Sequence, residues 1–318
     1  METIVKNSTS KANLEIFSET LQKLAETDRD IIVVTSDSRG SGKLVPFAEH
    51  FPEQIIEIGI AEQNLVGVAA GIASAGKKVF AVSPACFLTA RSFEQIKNDV
   101  AYSDNPVNLI GISAGVSYGA LGSTHHSLHD YAALRAVNNL IIVAPADNYE
   151  TEQAIIQAAA LHQPVYLRFG KKNMPNLGAE DQGFQFGKGR TIRKGTDLTL
   201  IGTGETVYPA LQAARKLHTE HGIEATVLSM HTIKPLDYEL ISNLAKGGKP
   251  IITIEEHSIF GGLGEACASF LMENNYRNPF KIIGIPDEYT VTGSQNDIFN
   301  HYGISEQGIL AAALKLIG

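Results

Sequence analysis

The sequence predicts an α/β protein of two doubly wound domains, a mainly parallel-sheet domain followed by a smaller one of the same class. Three observations carry this. Short β-branched runs alternate with longer helical patterns along most of the chain, the signature of a parallel sheet covered on both faces. The alternation stops from Phe169 to Arg190, where Gly, Asn, Pro, Lys and Asp dominate, and then restarts. The chain has 318 residues, more than one core usually fills. The expected division is a first domain over 1–175, a linker over 176–190 and a second domain over 191–318.

In the first domain, Leu14, Phe17, Leu21 and Leu24 give residues 12–26 one apolar helical face. Residues 31–35 read as a buried strand, followed by a polar Gly-rich loop over 36–43. A short strand follows at 55–58, a helix at 61–75 and a strand at 78–82. The pattern continues with a helix at 90–103, a strand at 107–113, a loop at 114–123 and a helical turn at 131–135. It closes with a strand at 140–144, a helix at 148–161 and a strand at 165–168. In the second domain, strands are expected at 198–202, 225–229, 250–255 and 281–284, and helices at 207–221, 238–246 and 264–274. A last helix is expected at 305–317. No internal repeat or low-complexity segment is visible.

Composition narrows the function classes. Apolar residues make up 44% and charged residues 19%, and the net charge is −8 with acidic and basic residues interspersed. There is no basic stripe of the kind nucleic acid requires. No apolar run approaches the roughly 18 residues that span a bilayer. The two cysteines, Cys86 and Cys267, lie far apart in sequence, which is no disulfide framework. The polar first eleven residues carry no secretory apolar core, so a cytoplasmic protein is expected.

Glu62 is the first residue to suggest chemistry. It opens a helix just after a strand, at the carboxyl edge of the predicted sheet, where ligands of such sheets bind. A Glu there also simply favours the helix dipole. The helix it opens is unusually small, with Gly67, Ala69, Ala70, Gly71 and Ala73. Such a helix suits close packing against another backbone, including that of a partner subunit.

The segment Gly59-Ile60-Ala61-Glu62-Gln63-Asn64 and the small helix after it resemble the pyrimidine-holding segment of transketolases and deoxyxylulose-phosphate synthases. Further matches follow in order: Ala85 to Thr89, Gly122-Ser123-Thr124-His125, Leu134-Arg135-Ala136 with Asn139-Leu140, Pro145-Ala146-Asp147, Ile233 to Asp237, and Glu255-Glu256-His257 with Gly261-Gly262-Leu263-Gly264. Each is weak alone; the ordered set spans nearly the whole chain.

The resemblance implies a thiamine diphosphate enzyme that transfers a two-carbon ketol unit between sugar phosphates. The cofactor acts as an electron sink. By that likeness, the Glu62 carboxyl hydrogen-bonds the pyrimidine ring nitrogen and favours the imino form that activates the cofactor, a role suited to a Glu with a raised pKa in an apolar interface. Phe87 packs on the pyrimidine, with Phe93 and Ile60 as further walls. His125 contacts substrate hydroxyls and moves protons at the carbonyl oxygen. Arg168 resembles a phosphate-binding Arg, although a strand-end Arg paired with a carboxylate explains it nearly as well. Ser41 and Ser113 occupy positions with phosphate contacts in the family.

The sequence departs from the family at Leu121, where an acidic residue is usual four positions before the His, and at Ala90 and Arg91, where many members carry an aromatic. His125 and His129 have i, i+4 spacing, yet no third ligand for a metal is obvious, and no metal site is expected in this chain. Gly202-Thr203-Gly204 reads as a tight strand-to-helix turn rather than a phosphate loop, since the third Gly is absent. His257 reads as structural or interfacial.

The family's diphosphate half carries a Gly-Asp-Gly motif, and this sequence has none. The expectation is therefore the C-terminal subunit of a split transketolase. An N-terminal partner subunit should supply the diphosphate site and the Mg²⁺ ligands, in an α₂β₂ assembly with the small helix in a self-contacting core. The runner-up is the β-subunit of a 2-oxo acid dehydrogenase, then a deoxyxylulose-phosphate synthase fragment. From another class comes a non-catalytic scaffold subunit of the same fold.

Overall fold

The computed structural model describes residues 10–178 and 180–318. Twelve strands are placed among them: β1 (Ile31–Thr35), β2 (Ile55–Glu57), β3 (Lys78–Pro84), β4 (Val107–Ile112), β5 (Ile141–Val143), β6 (Val165–Arg168), β7 (Arg190–Arg193), β8 (Leu198–Gly202), β9 (Ala225–Ser229), β10 (Thr232–Lys234), β11 (Ile251–Ser258) and β12 (Phe280–Ile285). They form two mainly parallel sheets. The first has seven strands in the order β10-β5-β6-β4-β3-β1-β2, the second five in the order β12-β11-β8-β9-β7. Only β10 against β5 and β7 against β9 run antiparallel.

Helices cover both faces of the first sheet, which is why its central strands are apolar without alternation; all six residues of β4 are buried. On one face, Phe17 of the helix Asn13–Ala25 packs 5.6 Å from Phe169 and 6.4 Å from Phe80, ring to ring. On the other, Leu65, Val66, Ala69, Ala70 and Ala73 of the helix Glu62–Ser74 pack with Val34, Val79 and Ala81. The opposite face of that helix is open: Gln63, Asn64 and Gly71 are exposed, and a Cβ added at Gly71 meets nothing within 4 Å.

Four elements go beyond what the sequence predicts. The edge strand β7 alternates Arg, Thr, Ile and Arg, a charged composition suited to a sheet edge. The three-residue β10 stops before Pro235 and is too short to show a period. The helices Val45–His50 and Gln295–Tyr302 are the other two, the second despite a Ser294–Asp297 capping box in which each residue bonds the other's backbone N–H. The single helix expected over 90–103 is three pieces. Ala85–Arg91 starts directly after β3, a short turn spans Phe93–Gln95, and Ile96–Tyr102 is a π-helix. The break falls at Ser92, whose hydroxyl donates to the Leu88 carbonyl inside the preceding turn.

The second half of the chain reaches back into the first sheet. Strand β10 adds to its edge, and Lys234 donates to the carbonyls of Arg135 (3.2 Å) and Val137. The segment after β6 is also pinned. Arg190 meets Glu150 at 2.8 Å with both side chains almost fully buried, and donates to the Gly178 carbonyl at 2.8 Å. Asp147 caps the helix Asn148–Ala160 through the Glu150 N–H (2.8 Å) and accepts from the Leu177 N–H (3.2 Å).

Removing one member of a buried ion pair leaves the other charge uncompensated. Arg190→Ala should lower the unfolding free energy by about 3–5 kcal/mol, read from urea denaturation, and a loss under about 1 kcal/mol would show the pair to be dispensable.

Candidate active site

In the first sheet the connections after β1 and β3 leave in opposite directions, toward β2 and toward β4. This is the topological switch point at which open α/β sheets bind ligands. Ser36 and Ser83, at the ends of these two strands, are joined Oγ to Oγ at 2.7 Å. The candidate residues Ser41, Glu62, Phe87, His125 and Lys171 all follow the carboxyl ends of strands at this same edge.

Glu62 is the first residue of its helix and is 4% exposed. Both carboxylate oxygens accept from Arg91 Nη1, at 3.1 and 3.0 Å. Arg91 is half exposed, and its guanidinium lies 4.5 Å from the centre of the Phe87 ring. Phe87 in turn meets the His125 ring edge-on at 5.4 Å, and His125 meets Tyr118 in the same way at 5.4 Å. Lys171 Nζ stands 4.1 Å from the Tyr118 ring centre. One continuous row therefore runs carboxylate, guanidinium, aromatic, imidazole, phenol, ammonium. Placing Phe87 on a helix one turn before Arg91 is what stacks these two together.

Sequence reasoning misses two side chains of this row. Tyr118 lies in the loop after β4, and Lys171 follows the Arg168 that draws attention instead. Burial, and then the nearby charge of Lys43, lower the Lys171 pKa. Two ammonium groups brought together at an open edge favour an anion between them. The signal available in the sequence is the Lys171-Lys172 pair directly after a strand end.

Other predicted site residues stand differently. Arg168 is a correction. It is 7% exposed and largely engaged: Nε donates to Asp130 (2.8 Å), Nη2 to the carbonyls of Ser127 (3.1 Å) and Glu256 (2.8 Å), and its plane lies 4.5 Å from the Tyr131 ring centre. Nη1 makes no hydrogen bond and stands 3.9 Å from Glu256 Oε2, so a buried, carboxylate-paired guanidinium describes this residue better than an open phosphate fork. Ser113 is also a correction as a substrate contact. It is fully buried, with φ +54°, and its hydroxyl faces Tyr118 rather than solvent. Phe93 packs on the hydrophobic layer that holds Leu65 and Ile96 rather than on the Phe87 row. Ile60 is 73% exposed beside Glu62, and Ser41 is exposed with its hydroxyl on the Ser38 carbonyl at 3.3 Å.

His126 is buried between Thr290 Oγ1 (2.6 Å) and the Gly119 carbonyl (3.0 Å). His129 lies 3.5 Å from Thr89 Oγ1. His257 is buried, stacked on Tyr131 at 4.8 Å, and its pKa is pushed down to about 4 by burial. The Gly-rich runs of the second half are turns. A Cβ at Gly262 would lie 1.9 Å from Glu255, which accepts from the N–H groups of Leu263 (2.7 Å) and Gly264 (2.9 Å). Gly204 has φ +57° between β8 and the helix Val207–His221.

Residues 10–176 match the transketolase pyrimidine binding domain, and residues 187–309 the transketolase C-terminal domain. The chain belongs to the transketolase family. It is 50% identical over 303 residues, covering 95% of this chain and 96% of the other, to a subunit of the apulose-4-phosphate transketolase of Phocaeicola vulgatus. It is 39% identical to the corresponding subunit from Actinobacillus succinogenes, covering 90% and 92%. Among solved structures, a split-gene transketolase described as an inactive β4 tetramer superposes with TM-score 0.85 at 34% identity, covering 97% of this chain and 98% of that one. Two of these relatives are named as transketolase subunits and the third as a split-gene transketolase, and each is matched along almost its full length. No helix among the described residues is long and apolar enough to cross a membrane.

Buried acids and histidines of this fold give its stability a definite pH dependence. Burial raises Glu255 from 4.5 to about 7, and Glu205, Glu256 and Asp147 also move upward. Such acids stabilise fully below their unfolded pKa and lose that contribution as pH rises through the folded one. The histidines His231 and His257, lowered by burial from 6.5, work in the opposite direction but only below that value. The urea midpoint should therefore fall between about pH 6.5 and pH 8, and a rise over that window would contradict these assignments.

Proposed function

We propose that this chain is the catalytic C-terminal subunit of a split transketolase, moving a two-carbon ketol unit from a ketose phosphate to an acceptor. Apulose 4-phosphate is the first donor to test, because the relative at 50% identity is named for it. The single observation that carries the reading is the buried carboxylate of Glu62 at the switch-point edge, with the Phe87 ring one guanidinium away.

These residues fit one half of thiamine diphosphate. A carboxyl at the mouth of the edge suits a ring nitrogen, and an aromatic face beside it suits a flat heterocycle. Once bound, the cofactor supplies the electron sink for the carbanion of ketol transfer. Glu62 holds a proton at the pyrimidine ring nitrogen. Phe87 fixes the plane of the ring, with exposed Ile60 beside Glu62 as a second wall. Arg91 covers both Glu62 and Phe87 in the free chain and swings aside on binding. His125 sits at the far side of Phe87, where it reaches substrate hydroxyls and exchanges protons with the carbonyl oxygen. Lys171, with Lys43 near it, takes the phosphate end in place of Arg168, and exposed Ser41 lines the same edge. Leu121, 54% exposed four residues before His125, gives the acceptor side an apolar rim where the family usually has an acid.

The Gly-Asp-Gly segment and the Mg²⁺ ligands come, on this reading, from an N-terminal partner subunit. The open, side-chain-poor face of the helix Glu62–Ser74 is the surface for self-contact in an α₂β₂ assembly. Residues 1–175 and 191–318 then act as the pyrimidine-binding and C-terminal domains. None of the relatives described above is a 2-oxo acid dehydrogenase, which leaves that reading second.

With the partner subunit present, Glu62→Gln should cut cofactor-dependent ketol transfer by about 10²–10⁴-fold while the assembly stays intact by size-exclusion chromatography. Full activity in that variant would end the proposal, and 2-oxo acid decarboxylation by the wild type would favour the alternative. Lys171→Ala should raise KM for a phosphorylated donor by about 10-fold or more, with a smaller change in kcat, if it makes a charged hydrogen bond to the phosphate. An unchanged KM removes Lys171 from the site.

A further inference from the structure

The loop that follows β4 carries Tyr118 and His125, and the turn that follows β6 carries Lys171. Their ends are tied within the first half of the chain, by the Ala114 N–H to the Phe169 carbonyl (3.0 Å) and the Met174 N–H to the Lys11 carbonyl (3.0 Å). Between those ends, both also rest on side chains of the second half of the chain. Glu256 Oε1 accepts from the Val116 N–H at 2.8 Å and from Gln295 Nε2 at 2.7 Å, and the same Nε2 donates to Glu205 Oε2 at 2.8 Å. The two carboxylates fill the space that a side chain would need on each loop. A Cβ at Gly115, where φ is +60°, would lie 2.2 Å from Glu256, and a Cβ at Gly170 would lie 1.8 Å from Glu205. At the other end of the first loop, Thr290 receives Ser123 and His126 together. Its N–H donates to Ser123 Oγ at 2.9 Å, its hydroxyl lies 3.0 Å from the same Oγ, and that hydroxyl lies 2.6 Å from His126 Nδ1.

From this geometry we infer that Glu205, Glu256, Gln295 and Thr290 are positioning residues. They form a polar clamp through which the second domain sets the distance between the imidazole of His125 and the ammonium of Lys171. The inference rests on the proposed ketol-transfer reading only for its consequence in catalysis; the clamp itself concerns two loops and their supports. It also assigns the second domain a task although none of its side chains lies in the row from Glu62 to Lys171. Glu62 and Phe87 stand on other elements and are not held by this clamp. A loosened clamp therefore weakens recognition of the phosphate end, which needs His125 and Lys171 at one distance, more than the step at the carbonyl, which needs His125 alone.

The test is made on the assembly with its partner subunit. Thr290→Val keeps shape and removes one hydroxyl; Glu256→Gln keeps shape and removes the charge; Thr290→Ser is the conservative rescue. Hydrogen exchange of the loop 114–126 should accelerate about 2–10-fold in Thr290→Val, in line with one lost hydrogen bond, and return to the wild-type rate in Thr290→Ser. kcat/KM for a ketose phosphate, which needs both His125 and Lys171, should fall by a similar factor, about 2–10-fold, while that for β-hydroxypyruvate, a short donor without a phosphate that meets His125 alone, should fall by a smaller factor. Wild-type exchange rates in both Thr290→Val and Glu256→Gln would overturn the inference. Equal losses on both donors would overturn it as well, because they indicate general damage. If the wild-type assembly turns over neither donor, the ketol-transfer reading fails, and the exchange rates alone still decide whether the clamp exists.

Discussion

The whole carboxyl edge depends on how one buried guanidinium is satisfied. Arg168 ends the interior strand β6 and is taken up by the Asp130 carboxylate, the Ser127 and Glu256 carbonyls and the face of Tyr131. A charge in such a place is tolerable only when it is paired and hydrogen-bonded. Despite complete burial, which opposes ionisation, the Asp130 carboxyl stays below its ordinary pKa because Arg168 and then His257 face it. Two separate segments, residues 127–131 from the first half of the chain and Glu256 from the second, are thereby fixed to the end of one strand. The loops that bear Tyr118, His125 and Lys171 start or finish within a few residues of these contacts.

That seam explains a division of labour at the edge. Residues on or next to the first sheet's own helices, Glu62 and Phe87, hold positions set by the hydrophobic layer beneath the helix Glu62–Ser74. Residues on loops take theirs from the second half of the chain. A parallel sheet offers only strand ends and loops at its binding edge. Something outside the sheet must stiffen those loops if they are to meet a substrate in one geometry. Here the stiffening groups are buried polar side chains rather than apolar ones, and Glu205 and Glu256 are each seated over a glycine where no larger residue fits.

Much of this is legible in the sequence. The strand runs 31–35, 165–168, 198–202 and 225–229 can be read to the residue, because β-branched runs bounded by Gly or polar turns leave little ambiguity. Glu62 is legible as a helix-opening acid at a strand end. What fails has physical reasons. Arg168 looks like a phosphate fork because burial is invisible in a sequence, and a strand-end Arg reads the same whether it meets solvent or a carboxylate. Lys171 goes unnoticed beside it. The sequence pattern puts the helix carrying Phe87 five residues late, since Pro84 and Ala85 carry no cap of the usual kind and the break at Ser92 blurs the period. The short strand β10 pairs with β5, nearly ninety residues away in sequence, and no local pattern encodes such a partner. Glu205 draws no attention in the sequence and Glu256 only as part of a motif, because nothing local shows that each is buried over a glycine.

The central claim is that Glu62 and Phe87 receive the pyrimidine of thiamine diphosphate. A crystal structure of the chain assembled with its partner subunit and the cofactor tests this directly. The account predicts a Glu62 carboxylate oxygen within about 2.7–3.2 Å of the pyrimidine ring nitrogen, Phe87 against the ring face and Arg91 displaced. A cofactor bound elsewhere, with Glu62 still paired to Arg91, would contradict it.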